Sequence, residues 1–520
     1  MSQLPEFVRA LLKPDAYPEP VIKIELMQTQ MSFIFLTGEF VYKVKKAVNL
    51  GYLDYTTLEK REFFCHKEVE LNRRLCPEIY LGVLPVTTNK KIIAINGTGE
   101  VIDYAVKMRY LPQASMMNIL IPKDQVSTKM VEDVAAKLVD FHSRAENGPA
   151  IAEFGSVNAV KINTDENFNQ TEKYYGKTIT REKFGRIKEY TGDFLRHNVA
   201  LFSGRIDAGH IRDCHGDLHA AHICFHNGIC IYDCIEFNDR FRYCDVASEI
   251  AFLAMDLDHY GRADLSRSFV EAYVDLSKDG GLLAMLNFYK CYRAYVRGKV
   301  ESFKLDDPYI SETEKQQTQI VASGYFDLAE AYTRTKPLLI ITVGLVGTGK
   351  STVARALAKR LGLTVISSDI TRKKLAGINS GERRYEDYNR GIYSSEFNRQ
   401  TYDTIFSEAK RILCQGRPVI LDASFIKAEE RLNAKKIAAE TGADFYIIEC
   451  TLPEAQIKER LAKRWELGSV SDGRWEIYLP QKQKFEPVIE VAANNHITVD
   501  TAPDTDKYIG MIIDRLTRSN

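Results

Sequence analysis

Gly344-Leu345-Val346-Gly347-Thr348-Gly349-Lys350-Ser351 fits the spacing Gly-x-x-x-x-Gly-Lys-Ser/Thr, and its flanks decide what that spacing means. Before it, Leu338–Val343 is a short apolar, β-branched run with the pattern of a buried parallel strand. Behind it, residues 351–361 are apolar at helical spacing and close on Gly362. Strand, glycine loop and helix form the context in which backbone N–H groups curl around a phosphate and a helix N-terminus faces it with its positive end. The expectation is a nucleoside triphosphate, ATP, held by Gly344, Gly347, Thr348, Gly349, Lys350, Ser351 and Thr352. Lys350 would reach the β- and γ-phosphates, and Ser351 would hold Mg²⁺.

Working outward, residues 336–520 alternate strand and helix, which predicts an α/β domain with a doubly wound parallel sheet. Residues 364–369 read as a strand ending in an acid, residues 418–424 as another, and residues 445–450 and 497–500 supply two more. Carboxylates at strand ends of such sheets face the ligand crevice. Asp422 fits the metal-side acid, and Asp369 can reach an acceptor hydroxyl as a base. A helix bearing Arg460 and Arg464 leads into a turn at 469–474, and arginines on a lid neutralise charge on a transferring phosphoryl group.

A chain of 520 residues is too long for one core, so two or three domains are expected. Its 70 basic and 70 acidic residues cancel, which leaves no global electrostatic case for a nucleic-acid or membrane partner. No apolar run approaches a membrane span, and residues 1–13 lack a signal-peptide core. A cytoplasmic protein with ten reduced cysteines is the expectation. Cys214, Cys224, Cys230, Cys234 and Cys244 share one stretch with His215, His219, His222 and His226. Zinc is one reading of that cluster. The other is a set of small buried hydrophobes alternating along strands, favoured by the lack of any Cys-x-x-Cys pair.

Residues 1–111 read as a β-rich lobe. Residues 31–45 form two strands around Thr37-Gly38-Glu39, with Lys43 and Lys45 on one face of the second. A helix near 58–75 carries Glu68 and Glu70, and strands follow at 78–85, 91–96 and 103–111. A strand lysine followed by a helix glutamate is how a kinase-type small lobe holds the α/β-phosphates of ATP; lysines on an edge strand can equally be solvated. The amphipathic helix 129–144 ends in Phe141-His142, where His142 reads as a packed core residue. In 214–237, Asn227-Gly228 between alternating apolar runs signals a hairpin. A two-residue loop pairs 226 with 229 and, counting back, His222 with Asp233, with Asp217 in the loop that feeds the strand. A protein kinase needs a base and two metal ligands at such positions.

His-Gly-Asp-Leu-His at 215–219, followed by Asp233-x-x-Glu236, resembles the aminoglycoside phosphotransferase and choline kinase group, which has a bilobal α+β, protein-kinase-like fold. The resemblance covers about 1–335, with a small lobe to 111 and a large lobe from 112. It implies Asp217 as catalytic base, Asp233 as Mg²⁺ ligand, Lys43 with Glu68 as the phosphate-binding pair, and Met108 to Leu111 as the adenine hinge. Asp245 matches a position that braces the lobe. One departure is plain: the family has Asn where this chain has His222, and imidazole suits Mn²⁺ better than hard Mg²⁺. The C-terminal half is similar to small P-loop kinases of the gluconate kinase and polynucleotide kinase type, through 344–351, Asp369 with Arg372, and Asp422. The order of the halves resembles a bacterial bifunctional family that joins an aminoglycoside phosphotransferase-like domain to an ATP-binding one.

Lys290, Arg293 and Arg297 share a helical face, readable as an anion-binding wall or as a solvated face. Residues 333–337 read as the linker. Together these readings predict a kinase with an ATP site in each half, acting on hydroxyls of small molecules. Asp217, Asp369, Lys350, Arg372 and Arg464 are its catalytic candidates. Two rivals stand beside it: a non-catalytic N-terminal sensor regulating one P-loop kinase, and a polynucleotide-end kinase.

Overall fold

The computed structural model describes residues 4–307, 310–334, 336–378, 391–414, 417–467, 474–502 and 504–518. The chain divides into two compact units, one of Met1–Tyr260 and Leu265–Thr333, the other of Gly261–Asp264 and Arg334–Asn520.

In the first unit, β1 (Glu25–Gln28), β2 (Ser32–Leu36), β3 (Phe40–Lys45), β4 (Tyr80–Thr88), β5 (Ile93–Ile95) and β6 (Glu100–Arg109) form one antiparallel sheet. Its order is β1-β2-β3-β6-β4-β5. Strand alternation sorts β3 between two environments. Tyr42 and Val44 enter a core with Phe33, Phe35 and Ala105. Lys43 and Lys45 face the other way, where both reach Glu68 on the helix Leu58–Asn72.

The rest of this unit is mainly helical. Every residue from Val246 to Leu257 of the helix Val246–His259 is buried, as expected of a helix packed on all sides. Two short pairs interrupt the helices: β7 (Ile211–Asp213) with β10 (Tyr243–Asp245), and β8 (Ile223–Phe225) with β9 (Ile229–Ile231). The β8–β9 register differs from the expected one. Phe225 pairs with Ile229 and Ile223 with Ile231, so the loop has three residues, with Asn227 and Gly228 both at positive φ. His222 therefore lies opposite Tyr232, whose N–H donates to the His222 carbonyl.

Cysteine chemistry also departs from expectation. A disulfide joins Cys76, just past the Glu68 helix, to Cys230 on β9, with Cα atoms 5.0 Å apart. Cys214, Cys224 and Cys234 are buried thiols.

In the second unit, β11 (Leu338–Val343), β12 (Thr364–Ser367), β13 (Val419–Asp422), β14 (Asp444–Thr451) and β15 (His496–Asp500) form a parallel sheet in the order β12-β13-β11-β14-β15. Both faces are covered. Leu339, Ile341 and Val343 enter one apolar core, and Ile340 enters another with Val353, Leu357 and Ile509. That double burial explains why β11 reads as an uninterrupted apolar run. Asp369 does not end a strand as expected. β12 stops at Ser367, and Asp369 lies in the first turn of the helix Ser368–Leu375. Among the described residues no helix is long and apolar enough to cross a membrane.

Candidate functional sites

The loop after β11 turns through three glycines at positive φ: Gly344 (142°), Gly347 (84°) and Gly349 (89°). At Gly344 a Cβ would lie 2.6 Å from the Cys450 carbonyl oxygen, so close approach adds to the conformational demand. Gly349 caps the helix Lys350–Leu361. The loop partly satisfies itself: Lys350 Nζ donates to the Leu345 carbonyl at 2.8 Å, as does Thr348 Oγ1. Val346 N–H donates to the side-chain oxygen of Gln481 at 2.9 Å.

A cavity of about 610 Å³ opens beside the loop, lined by Gly347, Gly349, Lys350 and Ser351 and, across from them, by Asp369, Arg372 and Asp422. Gly344, Thr348 and Thr352 are not on its wall. The strand ends bring the acids in, since β13 ends at Asp422 beside Ser367 of β12. Burial pushes the Asp422 carboxyl up, against the Ser351 hydroxyl and the Lys350 ammonium, which pull it down. Ser351 and Asp422 are an all-oxygen donor pair at the phosphate-binding lysine, which suits Mg²⁺. Arg372 is fixed by Asp369 at 3.3 Å and by Asn398 Oδ1 at 2.7 Å, over the Tyr393 ring. Its Nε has no hydrogen-bond partner among the described residues. Arg460 is tied to Thr501, whose hydroxyl donates to the Thr348 carbonyl. The side chain of Arg464 and residues 468–473 of the expected lid lie outside the described residues.

The first unit gathers a second set of polar groups from distant parts of the chain. Lys43 Nζ lies 2.9 Å from both Glu68 and Asp233, while Lys45 Nζ lies 2.6 Å from Glu68 and also pairs with Glu236. Burial would push both ammonium groups down; for Lys43 the carboxylates of Asp233, Glu68 and Glu236 outweigh it, and for Lys45 those of Glu236 and Glu68 do. Lys45 is 1% exposed and enclosed, whereas Lys43 is 15% exposed beside Asp233. The two lysines thus divide the work: Lys45 is enclosed between two carboxylates, and Lys43 is the one nearer solvent. Met108 is on β6 opposite Val41 and Tyr80, and Leu111 is buried with Met116, Cys76 and Cys230.

Asp217 follows Gly216, whose φ is 86° and whose added Cβ would lie 2.9 Å from the Phe241 carbonyl oxygen. Burial resists ionisation of Asp217, but His219, His222 and Arg297 hold its carboxyl well below the usual range. Backbone partners fix all three nearby imidazoles. His215 accepts from Asp217 N–H at Nδ1 and donates from Nε2 to the Tyr232 carbonyl. His219 accepts from Ala221 N–H at Nδ1, which leaves its proton on Nε2, 3.6 Å from Asp217 Oδ2. His222 donates from Nδ1 to the Asp217 carbonyl at 2.9 Å and turns Nε2 toward Asp233 Oδ2, 3.5 Å away. The contact forms despite the shifted register because Asp233 has φ of 63°, a left-handed kink that re-aims its side chain.

The remaining expectations sort as follows. His142 is a core residue bonded to Tyr273 and Glu249. Asp245 accepts two hydrogen bonds from Arg205 and caps the helix Val246–His259. Of the three cations on the expected anion wall or solvated face, Lys290 is buried against Asp258 and Ser266 and Arg293 donates to the carbonyls of Ser248 and Gly216, while Arg297 pairs with Glu301 and helps hold the Asp217 carboxyl low. Glu236 as partner of Lys45, Asn398 and Gln481 were not legible beforehand, since each depends on a contact distant in sequence.

A parallel sheet, a glycine loop after its central strand and a lysine–serine pair at the helix start define a P-loop nucleotide-binding domain. The model of the AAA domain family matches residues 339–488. The uncharacterized protein Rv2004c of Mycobacterium tuberculosis is 32% identical over 473 residues, covering 89% of this chain and 90% of its own. The uncharacterized protein Mb2027c of Mycobacterium bovis matches with the same figures. This chain belongs to the family of those mycobacterial proteins, and an alignment of that extent takes in both units. Among solved structures, a gluconokinase from Sinorhizobium meliloti is 21% identical, covering 36% of this chain and 94% of its own, at a TM-score of 0.26. The APS kinase CysC of Mycobacterium tuberculosis is 19% identical, covering 35% and 99%, at 0.26. Scores this low carry no conclusion about acceptor or mechanism.

Proposed function

We propose that the chain is an ATP-dependent phosphotransferase whose P-loop half transfers the γ-phosphoryl group to a hydroxyl of a small polar molecule. The observation that carries this reading is the single cavity in which Lys350, Ser351, Asp422, Asp369 and Arg372 meet. Lys350 and the loop N–H groups hold the phosphates. Mg²⁺, held by Ser351 and Asp422, would supply charge neutralisation. The acceptor oxygen forms a bond to the γ-phosphorus as the bond to the β-bridging oxygen breaks, ADP leaves, and the acceptor proton passes to Asp369. Arg372, held by Asp369 and Asn398, is placed to orient the acceptor.

The N-terminal unit is read as a second ATP site of the protein-kinase-like type, with Lys43, held by Glu68, on the phosphates and Asp217 as base. The Asp217 carboxyl, held ionised by His219, His222 and Arg297, is free to accept a hydrogen bond from an acceptor hydroxyl. The sensor alternative is favoured by His222, which replaces an amide that a hard metal ion would prefer. The test is a panel of small hydroxylated metabolites with the full-length protein and two variants. Acceptor-dependent ATP consumption that disappears in Lys350→Ala supports the P-loop assignment; consumption untouched by that change overturns it. Activity left in Lys350→Ala and removed by adding Asp217→Asn supports a catalytic N-terminal unit. ATP binding there without turnover for any acceptor supports the sensor.

A further inference from the structure

The N-terminal cleft holds one histidine nitrogen whose situation is unlike its neighbours'. Of the six ring nitrogens of His215, His219 and His222, five are accounted for by backbone partners or by the Asp217 carboxylate. The sixth, His222 Nε2, carries a lone pair, because its ring proton is committed through Nδ1 to the Asp217 carbonyl. That lone pair faces Asp233 Oδ2 at 3.5 Å, while Asp233 Oδ1 is already engaged by Lys43. Two electron-rich atoms confronting each other across such a gap repel unless a proton or a metal cation lies between them. The gap also opens outward, since His222 is 14% exposed and Asp233 42%.

We propose that His222 Nε2 and Asp233 Oδ2 form a site for a nitrogen-accepting divalent cation of the zinc class, in place of Mg²⁺. Two physical arguments lead there. Neutral imidazole is a good donor to borderline first-row ions and a poor one to hard Mg²⁺. The spacing argues the same way. Donors 3.5 Å apart subtend about 110° at an ion roughly 2.1 Å from each, which is the tetrahedral angle Zn²⁺ adopts. The right angle of an Mg²⁺ octahedron would require the donors to be about 3.0 Å apart. His219 is a positioning residue for Asp217 and not a further ligand, because its Nε2 carries the proton. The Asp217 carboxylate, 3.6 Å from the His222 ring, adds the negative charge that favours a cation nearby.

This inference rests on the kinase-like reading only for the use to which the ion is put; binding itself needs no nucleotide. The test uses Co²⁺ as a visible-absorbing substitute for Zn²⁺, titrated into the full-length protein carrying Lys350→Ala, without nucleotide. One tetrahedral-type Co²⁺ complex per chain is expected, displaced by Zn²⁺ and unaffected by excess Mg²⁺. His222→Ala and Asp233→Asn should each weaken it by at least roughly 100-fold, the upper end of what losing a mere outer partner costs. His222→Asn, which restores an amide at that position, should do the same while retaining the circular dichroism melt of the parent. A Co²⁺ spectrum of octahedral type, no stoichiometric binding, or binding unchanged in the His222 variants overturns the proposal. ATP binding by the same protein is measured separately. ATP bound without Co²⁺ removes only the metal site, and Co²⁺ bound without ATP removes only the nucleotide reading.

Discussion

The two candidate sites are built in opposite ways. The P-loop site takes its phosphate-binding groups from eight successive residues, 344–351, so the chain's local geometry makes most of the site before any tertiary contact forms. The polar cluster of the first unit depends on pairs such as Lys43 with Asp233, 190 residues apart, and Lys45 with Glu236, 191 apart. A local site is robust to packing changes elsewhere. A distributed one is only as good as the register and burial that bring its parts together, and here those parts are buried charges that require one another.

Lys350→Ala should have the largest effect. It removes a cation from the phosphates without removing packing, so turnover by the P-loop half should fall by roughly 10³-fold or more, about 4 kcal/mol. A melting temperature equal to the parent's, measured alongside, would show that the loss is chemical. A parent-like rate would break the comparison, because the local site would then not be the working one.

Lys45→Met should strike the distributed site through stability. It leaves Glu68 and Glu236 buried without their shared cation, which costs about 3–5 kcal/mol. Urea denaturation checks this, and the contrast sharpens if Lys43→Met, at the more exposed lysine, costs markedly less. An effect of Lys45→Met below that of Lys43→Met would reverse the division of labour between the two.

A pH experiment probes the same unit at intermediate size. Glu249 accepts from His215 N–H and faces His142; burial opposes its ionisation, but those partners hold its carboxyl at about 2, below its ordinary value of 4.5. A carboxyl depressed on folding stabilises the fold above its unfolded value and loses that contribution as pH falls through the folded one. Stability on the order of 3 kcal/mol should therefore disappear between about pH 4.5 and pH 2. In Glu249→Gln the acid limb of the stability profile should flatten over that window; an unchanged slope would remove Glu249 from the account.

Gln481→Ala should be the smallest perturbation. Its side-chain oxygen holds one N–H of the glycine loop, worth about 1 kcal/mol, so a rise of roughly fivefold in KM for ATP with kcat nearly constant is expected. A fall in kcat instead would place Gln481 among the groups that act on the transferring phosphoryl.

Legibility in the sequence followed the same divide. The glycine loop, its strand and its helix could be read directly, because the pattern and the chemistry occupy the same residues. Asp422 could be placed by the rule that strand ends face the crevice, yet Asp369 sits one turn into a helix, since Ser368 begins that helix immediately after β12. In the hairpin, the Asn-Gly signal marked the turn but not its length. A one-residue slip would have sent the His222 and Asp233 side chains to opposite faces, and the left-handed backbone at Asp233 restores the contact. Nothing in alternation could tell Lys43 from Lys45, as both point from one face of β3; only the depth of each beneath the Glu68 helix separates them. The disulfide between Cys76 and Cys230 was equally hidden, because connectivity follows from a fold and not from cysteine spacing.

Gly216 has a consequence for how such a protein diverges. With φ at 86° and the Phe241 carbonyl oxygen 2.9 Å from where a Cβ would stand, residue 216 cannot gain even a methyl group without shifting the loop that presents Asp217. The Asp217 carboxylate can therefore be displaced by a change at its neighbour while remaining in the sequence. In any relative of this chain, an aspartate at the position of Asp217 can keep the placement it has here only where a glycine precedes it.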